Sequence, residues 1–378
     1  MKIQQCHWTQ DLGWTPQAPT PMKESQLVLL FGGRSVFEDG SQLISVRDAY
    51  PNAHLLGCST AGEICGAHVS DDSLVATAIH FERSKVVGKQ VALEDAGDSV
   101  QAGARLARSL EHEGLKHVFV LSDGLNVNGS ELVMSLAGNL PQEVTITGGL
   151  SGDGDRFGET LVLAGGEPRS NVVAALGLYG DDLRVGYASM GGWDQFGTER
   201  VVTRSEGNVL YELDGRSALQ LYKQYLGEHA QGLPATGLLF PIALRAPDSE
   251  QPVVRTILAV DEDSQSMTFA GDLPEGSYAR LMKANFDRLV DGAAGAARNT
   301  HHAAQGSQAD LAILISCVGR KMVLKQRVEE EVEAVQRVLG EQTVLTGFYS
   351  YGEISPFTPN AKCELHNQTM TITSLSEA

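Results

Sequence analysis

Val344-Leu-Thr-Gly-Phe-Tyr-Ser-Tyr-Gly-Glu-Ile354 is an apolar β run that ends in a Gly-x-x-Ser-x-Gly-Glu-Ile turn. The same design stands near the other end of the chain as Leu55-Leu-Gly-Cys-Ser-Thr-Ala-Gly-Glu-Ile64. A weaker copy lies between them, Val144-Thr-Ile-Thr-Gly-Gly-Leu-Ser-Gly-Asp-Gly154, which keeps Gly148 and Ser151 and loses the Gly-Glu-Ile. An internal repeat outranks every other sequence signal, because each copy predicts one supersecondary unit.

Each copy is preceded by an apolar strand, a loop and a helix-like stretch. The leading strands are Leu27–Phe31, Val118–Leu121 and Leu311–Ile315, and the helices are expected at 41–49, 130–139 and 327–339. One further strand follows each turn, at 73–82, 171–179 and 366–375. The pattern predicts an α/β fold with two domains built from repeated strand-helix-strand-turn-strand units and mixed sheets. Strands joined through a helix run parallel with a right-handed crossover. The loop after each leading strand (32–34, 122–124, 316–320) and each glycine turn then share the carboxyl edge, where open α/β sheets bind ligands. Ser59, Thr60, Glu63, Ser151, Ser350 and Glu353 are thereby candidates to line one crevice. The plainer alternative is that these hydroxyls satisfy turn amides and the glutamates cap the next segment.

The chain has 378 residues, which favours two domains. Its net charge of −18, with no basic block, argues against nucleic acid and anionic membrane surfaces as partners. No apolar run reaches transmembrane length and no basic-then-apolar leader opens the chain, so a cytoplasmic location is expected. The five cysteines, 6, 58, 65, 317 and 363, show no Cys-x-x-Cys pairing, and neither a disulfide framework nor a zinc site is implied.

Along the chain, residues 1–26 read as a proline-bearing arm or edge segment, 27–215 as a first domain and 216–378 as a second. Strands are expected over 84–93 and 185–190, a helix over 97–112, and a loop at Gly191–Gly197. Residues 201–205 and 209–213 form a hairpin around Glu206-Gly-Asn208. Beyond the border come a helix at 216–226, an extended stretch at 237–244, an acidic turn at 248–251 and strands at 255–260 and 267–269. The longest helical candidate is 275–304, with interruptions expected at Gly292 and Gly295.

Enzyme motifs fail. The turn differs in spacing from the Gly-x-Ser-x-Gly nucleophile elbow, and a strand follows it instead of a helix. Phosphate-cradling, dinucleotide and His-Glu-x-x-His patterns are absent from the sequence. A binding protein is expected, not an enzyme; the competing enzyme reading uses Glu63 and Glu353 as acid and base. His54, His80, His117 and His366 lie at ends of apolar strands, where a half-buried imidazole hydrogen-bonds backbone or ligates a metal or haem iron.

Leu56-Gly-Cys-Ser-Thr-Ala-Gly-Glu-Ile64 resembles the signature of the FIST N-terminal domain. Ser316-Cys-Val-Gly-Arg320, Gly347-Phe-Tyr-Ser-Tyr-Gly-Glu-Ile-Ser-Pro356 and Leu365-His-Asn-Gln-Thr-Met370 resemble that of the FIST C-terminal domain. The resemblance implies a sensory module that binds a small ligand, amino acids being among those proposed for the family. The absence of an attached output domain, and the stretch 280–294, are similar to the NosP-type branch. That likeness implies haem b, nitric oxide as the signal and a partner histidine kinase. His366 is the first candidate for the axial ligand, with His54, His80 and His117 also open, and a Tyr or Cys ligand as well. If the ligand is an amino acid instead, Ser59, Thr60, Glu63, Arg320, Tyr349, Ser350, Glu353 and Asn367 are the candidates to hold it, Arg320 through its planar fork.

Overall fold

A computed structural model describes residues 1–247, 252–304, 306–357 and 361–378. The acidic turn expected at 248–251 lies outside them. The three repeats form three six-stranded sheets around one apolar centre. In each sheet a leading strand sits inside: Leu27–Gly32, Leu115–Ser122 or Leu311–Cys317. Its parallel neighbour is the strand that runs into the glycine turn: His54–Ser59, Thr145–Leu150 or Val344–Ser350. Its antiparallel neighbour closes the repeat: Leu74–His80, Val172–Tyr179 or Met370–Glu377. Both faces of these strands are covered, so they read as continuous apolar runs. The helices Ser41–Ala49, Gly129–Asn139 and Val328–Leu339 occupy the crossover positions, as the repeat pattern predicts.

The strands after the turns are exchanged in a ring. Glu63–Cys65 of the first repeat pairs with Val344–Ser350 of the third. Gly352–Pro356 of the third pairs with Thr145–Leu150 of the second. Val162–Ala164 of the second pairs with His54–Ser59 of the first. No repeat therefore completes its sheet alone. The arm 1–26 joins the first sheet, where Lys2–Thr9 lies antiparallel to Leu74–His80 and turns back as Gly13–Thr15.

Between Asp194 and Lys283 the chain builds a second body, an eight-stranded sheet with its own core under helix Ala218–Leu226. The border read from sequence at 215/216 falls inside this sheet, whose strands Asp194–Glu206 and Val209–Leu213 precede it. The packing units are thus the three-repeat body and the inserted sheet. Sequence order alone could not show this, because the third repeat returns to complete sheets begun by the first two.

Three local expectations are corrected. Asp194–Glu206 is a strand, so the loop expected at Gly191–Gly197 ends early; a register shift between Phe196 and Arg200 accommodates Gly197 at φ 74°. The candidate helix 275–304 divides into strand Tyr278–Lys283 and helix Phe286–Ala303, which runs unbroken through Gly292 and Gly295. Those glycines serve close packing: a Cβ on Gly292 would lie 1.9 Å from the Gly191 carbonyl oxygen. The loop expected over 316–320 becomes helix Val318–Leu324 from its third residue.

Candidate functional site

The three glycine turns meet. The Ala61 N–H donates to Tyr349 O (2.8 Å) and the Tyr349 N–H donates to Gly62 O (2.8 Å), joining the first and third turns. The Gly152 N–H reaches Ser59 O (2.9 Å) and the Tyr351 N–H reaches Leu150 O (3.3 Å), bringing in the second. The convergence expected from the repeat is present, and it is closed. Ser59, Thr60, Glu63, Ser151, Ser350 and Glu353 are all buried and bonded within the protein. Ser59 Oγ donates to Gly152 O at 2.8 Å, and Ser151 Oγ to Ser122 O at 2.9 Å.

The two Gly-Glu-Ile glutamates sit in matching cradles. Glu63 accepts from the Thr60 hydroxyl, and from the N–H and hydroxyl of Ser73 at 3.0 and 2.7 Å. Glu353 accepts from the Ser350 hydroxyl at 2.6 Å, and from the N–H and hydroxyl of Thr369 at 3.2 and 3.0 Å. Each cradle thus ties a turn to the residue that precedes its closing strand. The second repeat has no such glutamate; there Asp123 takes the Asn171 N–H at 2.8 Å and the amides of Leu125 and Asn126. The hydroxyls therefore satisfy turn groups, which is the plainer of the two alternatives.

Burial outweighs these hydrogen bonds and raises Glu63 to about 7 and Glu353 to about 8. The folded state then binds protons more tightly than the unfolded chain between pH 4.5 and those values. The stabilisation is complete below the unfolded carboxyl value of roughly 4.3 and is lost as pH rises through 7 and 8. Below pH 6.5 the neutral buried rings of His117 and His366 give an opposite slope, so urea-unfolding free energy is expected to fall from pH 6.5 to 8.5, and Glu353→Gln should flatten the upper part of that slope. An unchanged profile in the variant would remove Glu353 as its source.

Arg320 is consumed internally. Its Nε and Nη2 meet Glu331 Oε2 at 3.0 and 2.7 Å, and Nη1 and Nη2 also donate to Gly191 O (2.9 Å) and Leu289 O (2.7 Å). Glu331 further accepts from the Ser316 hydroxyl at 2.9 Å and the Tyr349 hydroxyl at 2.7 Å. Burial and the neighbouring Glu331 push the Tyr349 phenol well above its ordinary value. The guanidinium expected to grip a ligand carboxylate is thus a structural counter-ion joining helix Val318–Leu324, helix Val328–Leu339 and the Gly191 loop. Glu331 escaped the sequence reading; its signal was a carboxylate on the apolar stripe of Val335 and Leu339.

The C-terminal turn His366–Thr369 behaves differently. His366 Nε2 lies 2.7 Å from Ser355 O, which only accepts, so Nε2 carries the proton and Nδ1 presents a lone pair. Among the described residues that Nδ1 has no hydrogen-bond partner, nor do Asn367 Oδ1 and the whole carboxamide of Gln368, although all three residues are fully buried. Gln368, which the sequence reading passed over, stands at φ 63°. Native interiors leave few such atoms unpaired. Burial lowers His366 to about 4, so the ring is neutral. The turn also lies where the two bodies meet: Arg255 of the inserted sheet donates to Leu365 O (2.9 Å), and Trp193 Nε1 to Gln368 O (2.9 Å).

The other histidines divide. His117 is held at both ring nitrogens, by Thr145 at 2.6 Å and Thr147 at 2.9 Å, and burial lowers it to about 3. His80 Nδ1 is 2.7 Å from Glu24 O. His54 is exposed and lines a cavity of about 290 Å³ at the opposite end of its strand from the turns. Among the described residues no cluster of three or more His, Cys, Asp or Glu is placed to hold a metal ion, and no helix is long and apolar enough to cross a membrane.

Comparison with known proteins gives two family matches, the FIST N domain over residues 26–216 and the FIST C domain over 218–356. An uncharacterized protein of Methanocaldococcus jannaschii is 25% identical over 312 residues, 75% of this chain and 58% of that protein, so the chain spans less than two thirds of this relative. The crystal structure of a cyanuric acid hydrolase from A. caulinodans aligns with 78% of this chain and 99% of its own at 12% identity, with a TM-score of 0.18 that carries no argument. On the strength of matches that together cover most of its length, the chain belongs to the FIST family, whose domains are small-ligand sensory modules.

Proposed function

We propose that this FIST protein senses nitric oxide through haem b seated at the C-terminal turn, and reports to a partner histidine kinase. The observation that carries the reading is the Nδ1 of His366, buried and without a hydrogen-bond partner among the described residues. A histidine that ligates iron normally donates its other ring N–H to a carbonyl or carboxylate, which fixes the ring and the tautomer. His366 has that arrangement with Ser355, and its neutrality leaves the lone pair available. Bound haem would supply the iron that takes up the gas. The chain's part is to hold the imidazole, exclude water and relay the change. Because His366 is completely buried, a guest reaches it only by displacing its cover, which includes the Phe357 ring at 4.1 Å. A ligand shifts a conformational equilibrium only through such differential contacts. The contacts of Arg255 and Trp193 with residues 365 and 368 then carry the shift to the inserted sheet, the surface offered to the kinase.

The test is a haem titration of the purified protein followed by nitric oxide. A Soret band that moves with the gas, and is lost in His366→Ala but kept in His54→Ala, is the expected result. A protein that stays colourless, or loses its band only in His54→Ala, overturns the assignment. Kinase autophosphorylation with and without gas-loaded protein tests the partner. The amino-acid reading has less support, because the Arg320 fork is already occupied by Glu331.

A further inference from the structure

The ring of three repeats has three seams where one sheet meets the next, and two of them are closed in the same way. At the first, Thr77 of a closing strand donates to Thr346, the residue before the turn glycine of the third repeat, at 3.0 Å. Opposite Thr77, Gln5 fills the outside of the seam and donates to Thr77 (3.2 Å) and Leu345 O (2.9 Å). At the second, Thr373 donates to Thr147 at 2.7 Å, with Tyr187 opposite Thr373 in the outer strand.

Sheet register identifies the corresponding residues of the third seam. Thr77 and Thr373 pair with Leu29 and Ile313 of their leading strands; the matching residue there is Phe119, and it pairs with Leu176. The residue before the first turn glycine is Leu56, and the outer-strand position opposite Leu176 is Gly88. The hydroxyl clasp is therefore replaced by two leucines, and the side chain that fills the seam by a hydrogen atom. The result is the cavity of about 290 Å³, lined by Leu55, Leu56, Leu176 and Ala164, with His54, Lys89 and Gln90. A Cβ on Gly88 would meet His54 Nδ1 at 3.4 Å and Leu176 at 3.8 Å, ordinary contact distances, so a side chain there would enter the seam without strain.

We infer that this odd seam is a binding site for a small carboxylate with an apolar body. The leucine and alanine walls remove an apolar body from water, which is the main favourable term. His54 and Gln90, which alternate along their strands onto the same face as Leu56 and Gly88, supply hydrogen-bond donors, and the exposed Lys89 between Gly88 and Gln90 brings a positive charge to the rim that a carboxylate would meet. The volume lies at the lower end of small-molecule sites, roughly 300–1,000 Å³, and suits a single-ring or short-chain acid. The site is separate from the turn at His366 and stands whether or not haem binds there.

Benzoate is the probe, with benzyl alcohol as its uncharged counterpart, both followed by thermal shift and calorimetry on the full chain. Wild type should bind benzoate saturably and benzyl alcohol at least about tenfold more weakly. Lys89→Gln, a surface change, should weaken benzoate about tenfold and leave benzyl alcohol unaffected. Gly88→Gln restores the side chain type that closes the first seam and should abolish binding of both while retaining the fold; Gly88→Ala, a smaller filling, should weaken both. No saturable benzoate binding by wild type, or undiminished binding by folded Gly88→Gln, overturns the site. Equal affinity for the two probes overturns the carboxylate class.

Discussion

Glu331→Ala is expected to lower the unfolding free energy by about 3–5 kcal/mol, the largest effect of any single side-chain truncation proposed for this protein. The substitution leaves Arg320 charged, fully buried and held by the carbonyls of Gly191, Leu289 and, at 3.5 Å, Gln368. It also strips the Ser316 and Tyr349 hydroxyls of their acceptor. The pair itself stabilises far less than its rupture costs, because both ions are desolvated in forming it. The double variant Arg320→Met/Glu331→Met should therefore be more stable than Glu331→Ala, with strong non-additivity in a double-mutant cycle. Urea unfolding at pH 6 measures all of these. A loss below about 1 kcal/mol, the range of exposed pairs, would show that Arg320 finds water once its partner is gone.

Gly148→Ala should cost about 3 kcal/mol or more, through a mechanism shared by all three turns. A Cβ at Gly57, Gly148 or Gly347 would lie 2.1, 1.9 or 1.8 Å from the carbonyl oxygen of Leu30, Val120 or Leu314 on the parallel leading strand. The clash is with backbone inside a paired sheet, so no rotamer relieves it. Gly148 also has φ 152°, where a side chain is strained whatever the space. Gly138→Ala is the control. It lies in helix Gly129–Asn139 with nothing within 4 Å of the place a Cβ would take, and the change should stabilise by roughly 0.5–1 kcal/mol. Matching losses at the two positions in urea titrations would refute the close-approach explanation of the repeated glycine.

Much of the site was legible as chemistry and illegible as geometry. The Gly-Glu-Ile turns, their hydroxyls and the strands on either side follow from residue type and spacing, and the structure brings the turns together as the repeat implied. Whether they meet around a hollow or around each other depends on strand exchange between repeats, which no local pattern records. Thr60, Ser73, Ser350 and Thr369 fill the space with hydrogen bonds to the glutamates, so the expected crevice is closed. Gln368 stood inside the Leu365–Met370 motif without being singled out, since a glutamine beside a strand is ordinary until its carboxamide is found buried and, among the described residues, unpaired. The seam at Gly88 was equally hidden: it is defined by the absence of features present at two other places, and those places correspond only through sheet register.

Sequence alone determined the repeat, the α/β class, the family and which polar residues are exceptional, because apolar periodicity, turn glycines and signature residues are local properties of the chain. Tertiary structure decided where the bodies divide, that Arg320 is spoken for while the His366 lone pair is not, and which seam stays open. These depend on which atoms become neighbours after burial, where an available partner or its absence decides whether a polar group holds the fold together or awaits a guest.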